Sequence, residues 1–282
     1  MSELGALSGP ALLVTSALLH ASWNAMLKRE RAPEAAVTWV LLVALLVATG
    51  AALRFPGAGL PTGRVAGWAV GAGLCEGLYF VALAAALARA PYGAVYAVAR
   101  GGALLLVWPA AALLLHEPVT ASSAAGAALV CTGVFLVAWA GHAEGGGAGL
   151  ALAALCAAGI AGYHLCYDRA LAGGGAPAPI FAIALGVAWP LAWLATRLRG
   201  GTAPLTPRSA ARWTLAGVVC AGSFLLFLAG LAATGAGAAL TLRNTSVVFA
   251  QAIALLMGER PPRRQLAGAA LVVLGASLVA WR

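Results

Sequence analysis

The sequence predicts an all-α integral membrane protein: ten transmembrane helices in two inverted five-helix repeats. Three observations carry this. First, 62% of the 282 residues are hydrophobic and 9% charged, with a mean hydropathy of +0.94; a soluble domain is roughly 45–50% apolar and about 25% charged. Second, ten apolar runs approach the ~20 residues a membrane crossing requires. Third, the chain repeats itself. Ala125–Trp139 reads AGAALVCTGVFLVAW and Ala267–Trp281 reads AGAALVVLGASLVAW, identical at eleven of fifteen positions. In a chain so rich in Ala, Leu and Val, the weight falls on the paired glycines (Gly126 with Gly268, Gly133 with Gly275) and on Trp139 with Trp281.

Each run is read as a helix, because lipid offers backbone groups no partner outside their own segment. The N-terminus, MSELGALSGP, lacks the basic residues of a secretory leader, so the first run, Pro10–Leu27, is expected to stay as a span. KRERAPE closes it, and Ala35–Leu53 follows, closed by RFPGAGLPTGR. Val65–Ala88 and Tyr92–Leu115 are separated only by the short turn around ARAP. HEPVT leads into Ala121–Ala140, and GHAEGGGAG divides the halves. The second half gives Leu150–Tyr167, Pro179–Leu198, Trp213–Leu231, Gly235–Met257 and Gln265–Trp281, cut by AGGGAPAP, RLRGGTAPLTPR, AATGAG and GERPPRR.

Residues 1–141 and 142–282 thus form two units of five spans. Five is odd, so the second unit enters the membrane from the opposite side, an arrangement of secondary transporters with a binding site at the repeat interface. The correspondence extends to Glu117 with Glu259, Trp23-Asn24 with Tyr163-His164, and Lys28-Arg29 with Asp168-Arg169. Small residues at Gly67, Gly71, Gly73 and Gly77, and the glycines of the fifth and tenth spans, allow close helix approach. They serve packing within the chain or a dimer contact, which leaves monomer and homodimer both open.

Several classes are excluded. The net charge of +9 comes from basic residues between apolar runs, without a basic stripe interleaved with aromatics, so no nucleic-acid partner is expected. The five cysteines lie inside apolar runs with no CxxC spacing, and the histidines are not spaced for a metal. There is no HExxH, no GxSxG and no Gly-rich phosphate loop with its lysine. An enzyme, a cofactor and ATP coupling within this chain are therefore not expected.

The first span ends in HASWNAMLKR, a Trp–Asn pair followed by Lys. Glu117 and Glu259 stand before short turns, each followed by a Gly-containing last helix. In these features the chain resembles the EamA domains of the drug/metabolite transporter superfamily. Pro118 departs from the pattern, which commonly has a basic residue there; Arg260 keeps it. The resemblance implies ten helices around a central cavity lined mainly by the first, third and fourth spans and their second-half partners. It implies a secondary transporter, commonly an exporter of small metabolites such as amino acids, in the bacterial inner membrane, with protons as a candidate coupling ion. Alternatives are a flippase for a lipid-linked intermediate, with Arg100 and Arg243 holding the headgroup, and a cation or drug exporter using Glu76. Orientation is in conflict. Eleven Lys and Arg lie at the loops after spans 1, 3, 7 and 9 and four on the other side. The positive-inside rule then puts both termini outside, whereas the resemblance puts them inside.

Ionisable residues inside spans are costly and are functional candidates by default. Glu76 and Arg100, counted from the hairpin at Ala90, lie at depths about 6 Å apart at 1.5 Å per residue. They are a structural ion pair or a protonatable, substrate-binding pair. The ninth span holds Thr241, Arg243, Asn244, Thr245, Ser246 and Gln251, too polar a set to face lipid; Asn244, Val247 and Gln251 share one stripe. Arg243 is the counterpart of Arg100, and Ser223, the counterpart of Glu76, cannot neutralise it, so Arg243 is the guanidinium free for a ligand. His20 and Asn24 share a face beside Trp23, and His164 is Asn24's counterpart. The expected substrate is a small organic anion or zwitterion between Arg243, Asn244 and the aromatics Trp23, Tyr79 and Tyr96, with Asn24, His164 and Gln251 completing the site. Glu117 and Glu259 end their helices, where the macrodipole disfavours an anion, so Arg260 or another basic residue is expected to compensate.

Overall fold

The computed structural model describes residues 8–54, 61–114, 120–143, 146–200, 205–234, 239 and 242–280. Among these residues there are ten α-helices of eight residues or more: α1 (Gly9–Lys28), α2 (Pro33–Arg54), α3 (Gly63–Leu87), α4 (Tyr92–Leu114), α5 (Ala121–Ala143), α6 (Gly147–Ala172), α7 (Pro177–Leu198), α8 (Pro207–Thr234), α9 (Ser246–Leu256) and α10 (Arg263–Ala280). No strand occurs among them. Prolines open α1 and α7, where their missing N–H is harmless. Seven helices, α2 to α8, are long and apolar enough to cross a membrane. The protein is therefore an integral membrane protein. Length and composition carry seven of the ten expected crossings. Two of the other helices differ for identifiable reasons. In α1, Ser16, His20 and Asn24 dilute the hydropathy and are all buried. The α9 helix has 11 residues.

Within the ninth span expected over Gly235–Met257, Leu242–Leu256 is helical, with a tightened turn at Thr245, whose backbone stays in the helical region, and with the regular helix α9 counted from Ser246. The Thr245 hydroxyl donates to the Leu242 carbonyl at 2.5 Å, a local bond of the kind by which Thr competes with the helical ladder. Thr241, Glu117 and Trp281 lie outside the described residues.

The main packing partners run antiparallel. Along α1, Leu13 meets Gly230, the Ser16 hydroxyl donates to the Ser223 carbonyl at 2.6 Å, and Glu30 beyond its end meets Arg212 of α8. Along α3, Gly71 faces Cys166 and Tyr79 faces Gly159 of α6. The Thr38 and Thr196 hydroxyls, 3.1 Å apart, join the start of α2 to the end of α7. Between α5 and α10 the backbones touch: a Cβ on Gly133 would lie 2.5 Å from the Gly268 carbonyl oxygen, and one on Gly275 2.5 Å from that of Gly126. The repeated glycines are thus used within the chain, and these surfaces are not available for the dimer contact that the sequence left open.

One end of the bundle gathers the basic loops. Arg212 donates to both carboxylate oxygens of Glu30 at 2.9 Å, and Glu34 lies 3.5 Å from Arg89 and 3.9 Å from Arg199. At the same end the Glu259 carboxylate accepts the backbone N–H groups of Tyr92 (2.7 Å) and Gly93 (3.2 Å). It caps the N-terminus of α4, where N–H groups lack partners and the dipole favours an anion. Arg260 is exposed and forms no ion pair among the described residues, so the compensation comes instead from α4 and from the charge of Lys28. Lys28 makes the complementary contact at a C-terminus, donating to the carbonyls of Leu87 and Ala90 at 2.8 Å each.

Candidate functional site

Helices α1, α3, α4, α6 and α8, with the helical residues just before α9, enclose a sealed cluster of rings and charges. Arg243 and Glu76 are both 0% exposed. At the centre is His20. Its Nδ1 is 3.3 Å from Nη2 of Arg243 and 3.4 Å from Nε1 of Trp23. Both neighbours are donors only, so Nδ1 accepts and the ring proton sits on Nε2. There it faces the Tyr79 hydroxyl oxygen at 3.3 Å. Aromatic faces hold the guanidiniums: Arg243 lies 3.6 Å from the Phe227 ring centroid and 5.0 Å from that of Phe224, and Arg100 lies 5.8 Å from that of Tyr96. Such contacts stabilise a desolvated cation by about 2 kcal/mol.

Glu76 joins the cluster from the α6 side. Its Oε1 accepts from the Tyr167 hydroxyl at 2.8 Å. Tyr167 packs edge-on against Tyr163, which in turn contacts Tyr79, His164 and Phe224. The ion pair expected between Glu76 and Arg100 is not formed: no Arg nitrogen lies within 4.0 Å of Glu76 among the described residues. Similar depth along two helices brings the residues to one layer but does not fix their directions around the helix axes.

Of the other expected site residues, Trp23, Tyr79, Tyr96 and His164 come together around His20 and Tyr163. Asn24 turns its amide back to the His20 carbonyl at 2.7 Å and leaves Oδ1 without a partner. Asn244 is buried beside Arg243 in the chain, its Nδ2 unpaired. Gln251 is directed elsewhere: it donates to the Gly93 carbonyl at 2.9 Å and accepts from Gln265 at 3.4 Å, joining α4, α9 and α10. The sequence argument placed His20 beside Asn24 but left it out of the site, and it did not find Tyr167, Phe224 or Phe227. The aromatic–polar spacing Tyr163, His164, Tyr167 along one face of α6 was the available signal.

The most telling feature is what these groups lack. Nε and Nη1 of Arg243, Nη2 of Arg100, Oε2 of Glu76, Nε2 of His164, Oγ of Ser246 and the hydroxyl of Tyr163 are buried without hydrogen-bond partners among the described residues. Each such group costs about 1–3 kcal/mol, and native interiors contain few of them. So many in one place make this cluster the candidate site, with both donors and acceptors left open.

Residues 147–281 match the model of the EamA-like transporter family. The chain carries an EamA-like transporter domain. That family is one of transporters, so a small-molecule substrate and a lipid bilayer are the partners this domain implies. No curated protein matches the chain. A solved structure described as "Crystal structure of protein" superposes with a TM-score of 0.69 at 19% identity, over 96% of this chain and 96% of that one, which supports a shared fold across both halves. The EamA-like domain contributes α6 to α10, and hence His164, Tyr167, Phe224, Phe227, Arg243 and Asn244, to the cluster.

Proposed function

We propose that this protein is a secondary transporter, working as an exporter in the bacterial inner membrane, which carries a small organic anion or zwitterion by alternating access between two inverted five-helix repeats, 1–141 and 142–282. The observation that carries this reading is Arg243: wholly buried, with two unpaired nitrogens, in a helix with no other charged residue among its described positions. A guanidinium adds charge-assisted bonds to a carboxylate, and Asn244, Trp23 and the tyrosines around His20 complete the surroundings.

Helix pairing supports the repeat. Replacing each helix of the first five by the one five places on turns α1·α8 into α6·α3, α2·α8 into α7·α3, and α1·α9 into α6·α4, all of which are in contact. Corresponding helices α5 and α10 run antiparallel, as inversion requires. The matched family region, 147–281, nearly coincides with the second unit. Protons are the candidate coupling ion, with Glu76 their acceptor.

The test is uptake into proteoliposomes across amino acids, organic anions and organic cations. Counterflow with anions or zwitterions is expected. Counterflow with organic cations alone would replace this reading by a cation exporter built on Glu76.

A further inference from the structure

We infer that a groove between α2, α7 and α8 is a binding site for an anionic phospholipid, with an acyl chain along its tryptophans and the phosphate at Arg197. The inference does not depend on the central cluster or on what is transported. The groove has a volume of about 370 Å³, and its walls include Trp39 of α2, Trp189 and Trp193 of α7 and Trp213 of α8. A surface turned to lipid needs only leucines, such as the exposed Leu191, Leu194 and Leu198 of α7. Four of the chain's nine tryptophans in one groove therefore ask for a further reason. Hydrogen bonds between helices hold the walls in place. Trp39 Nε1 donates to the Thr214 hydroxyl of α8 at 3.1 Å, and the Thr196 hydroxyl donates to the Glu34 carbonyl of α2 at 3.0 Å.

The groove is graded along its length. α2 begins and α7 ends at the basic end of the bundle, so Thr38, Thr196 and Arg197 stand at that end while Leu42 and Trp189 lie deeper. Arg197 and Trp189 are about 12 Å apart along α7, at 1.5 Å per residue. A charged mouth, then hydroxyls, then rings is the profile of a phospholipid from phosphate to chain. The charges at the mouth are complementary to that phosphate. Glu30 is taken by Arg212, and Glu34 lies between Arg89 and Arg199. Arg197 has no carboxylate within 4.0 Å among the described residues. Its guanidinium lies 5.5 Å from the Trp193 ring centroid, which keeps it at the groove. Basic pockets between membrane helices bind anionic headgroups, and a guanidinium can hold a phosphate through paired hydrogen bonds. A second copy of the chain is a poorer occupant, because a twofold contact sets the same arginine-bearing surface against itself.

The experiment uses the purified full chain in detergent micelles doped with phosphatidylglycerol or phosphatidylcholine brominated on the acyl chain. Bromine quenches the fluorescence of a tryptophan it touches, and the difference between wild type and Trp193→Phe isolates Trp193. Phosphatidylglycerol is expected to quench Trp193 with about fivefold higher apparent affinity than phosphatidylcholine, the worth of one surface arginine against an anionic lipid. Arg197→Gln should abolish that preference and high salt should weaken it. Arg260→Gln, at the same end but outside the groove, should leave it. Equal quenching by the two lipids in the wild type overturns the inference. So does a preference lost equally in Arg197→Gln and Arg260→Gln, which would assign it to the general charge of that end. Protection of Trp193 from both lipids by self-association would give the groove to a second copy and overturn it as well. If Arg197→Gln does not fold, the wild type decides: a preference unmoved by salt removes the phosphate from Arg197 and overturns the inference.

Discussion

The contact between Glu259 and the start of α4 gives a prediction with a calculable size. Glu259→Ala removes two bonds from backbone N–H to carboxylate, at 2.7 and 3.2 Å, and leaves two helix-terminal donors unpaired. Hydrogen bonds to charged groups contribute roughly 1.5–3 kcal/mol each. At this half-buried position the lower end applies, and water recovers part of the loss, so the net cost should be about 2–3 kcal/mol. Glu259→Gln keeps one neutral acceptor and should cost about 1 kcal/mol, by analogy with cap substitutions. With about 2–4 °C of midpoint per kcal/mol for chains of roughly this size, Glu259→Ala should lower the midpoint in detergent by about 4–12 °C. Arg260→Ala should leave it almost unchanged. A larger loss for Arg260→Ala than for Glu259→Ala would refute the capping argument and restore Arg260 as the compensating charge.

Other consequences are equally direct. Gly133→Ala sets a methyl group against the Gly268 carbonyl oxygen and should destabilise by about 1–3 kcal/mol, as overpacking does; Gly222→Ala, whose Cβ meets only Leu19 at 3.8 Å, should be tolerated. A comparison of thermal midpoints separates the two. Burial opposes ionisation of Glu30, but the Arg212 bond and charge outweigh it and hold its carboxyl below the ordinary glutamate value. A depressed folded-state pKa gives stability that is present above about pH 4.5 and lost as pH falls through the lower folded value. A wild-type stability profile below pH 4.5 should therefore be steeper than that of Arg212→Ala, by a small margin because the pair is largely solvated. Reporter fusions at the two ends of the chain should report the same compartment, as an even number of crossings requires; opposite compartments would contradict ten spans.

The helices were legible because apolar runs and turn clusters mark them directly. Tyr92–Leu115 was expected and Tyr92–Leu114 is found; Val65–Ala88 was expected and Gly63–Leu87 is found. The tightened turn at Thr245 is harder to read, since RNTS announces polarity but not how the backbone answers it. Arg243 was legible as a buried cation because its helix has no other reason to carry one. The partner of Glu76 was not legible. Depth follows from counting residues, but Tyr167 meets Glu76 only through the packing of α3 on α6. Gln251 shares a stripe with Asn244, yet about two turns along the helix that stripe meets the start of α4 instead of the cluster. For Glu259 the basic partner is Lys28 at the end of α1, and the direct bonds come from backbone N–H groups, which no sequence displays as charge.

The central claim is that Arg243 holds the substrate. The most direct measurement is counterflow in proteoliposomes with wild type and Arg243→Gln, using the anion that the wild type carries best, at matched reconstitution and with helical content checked by circular dichroism. The account predicts a folded variant whose transport falls at least a hundredfold. Transport at the normal rate by a folded Arg243→Gln protein would contradict it and reduce the polar ninth span to packing.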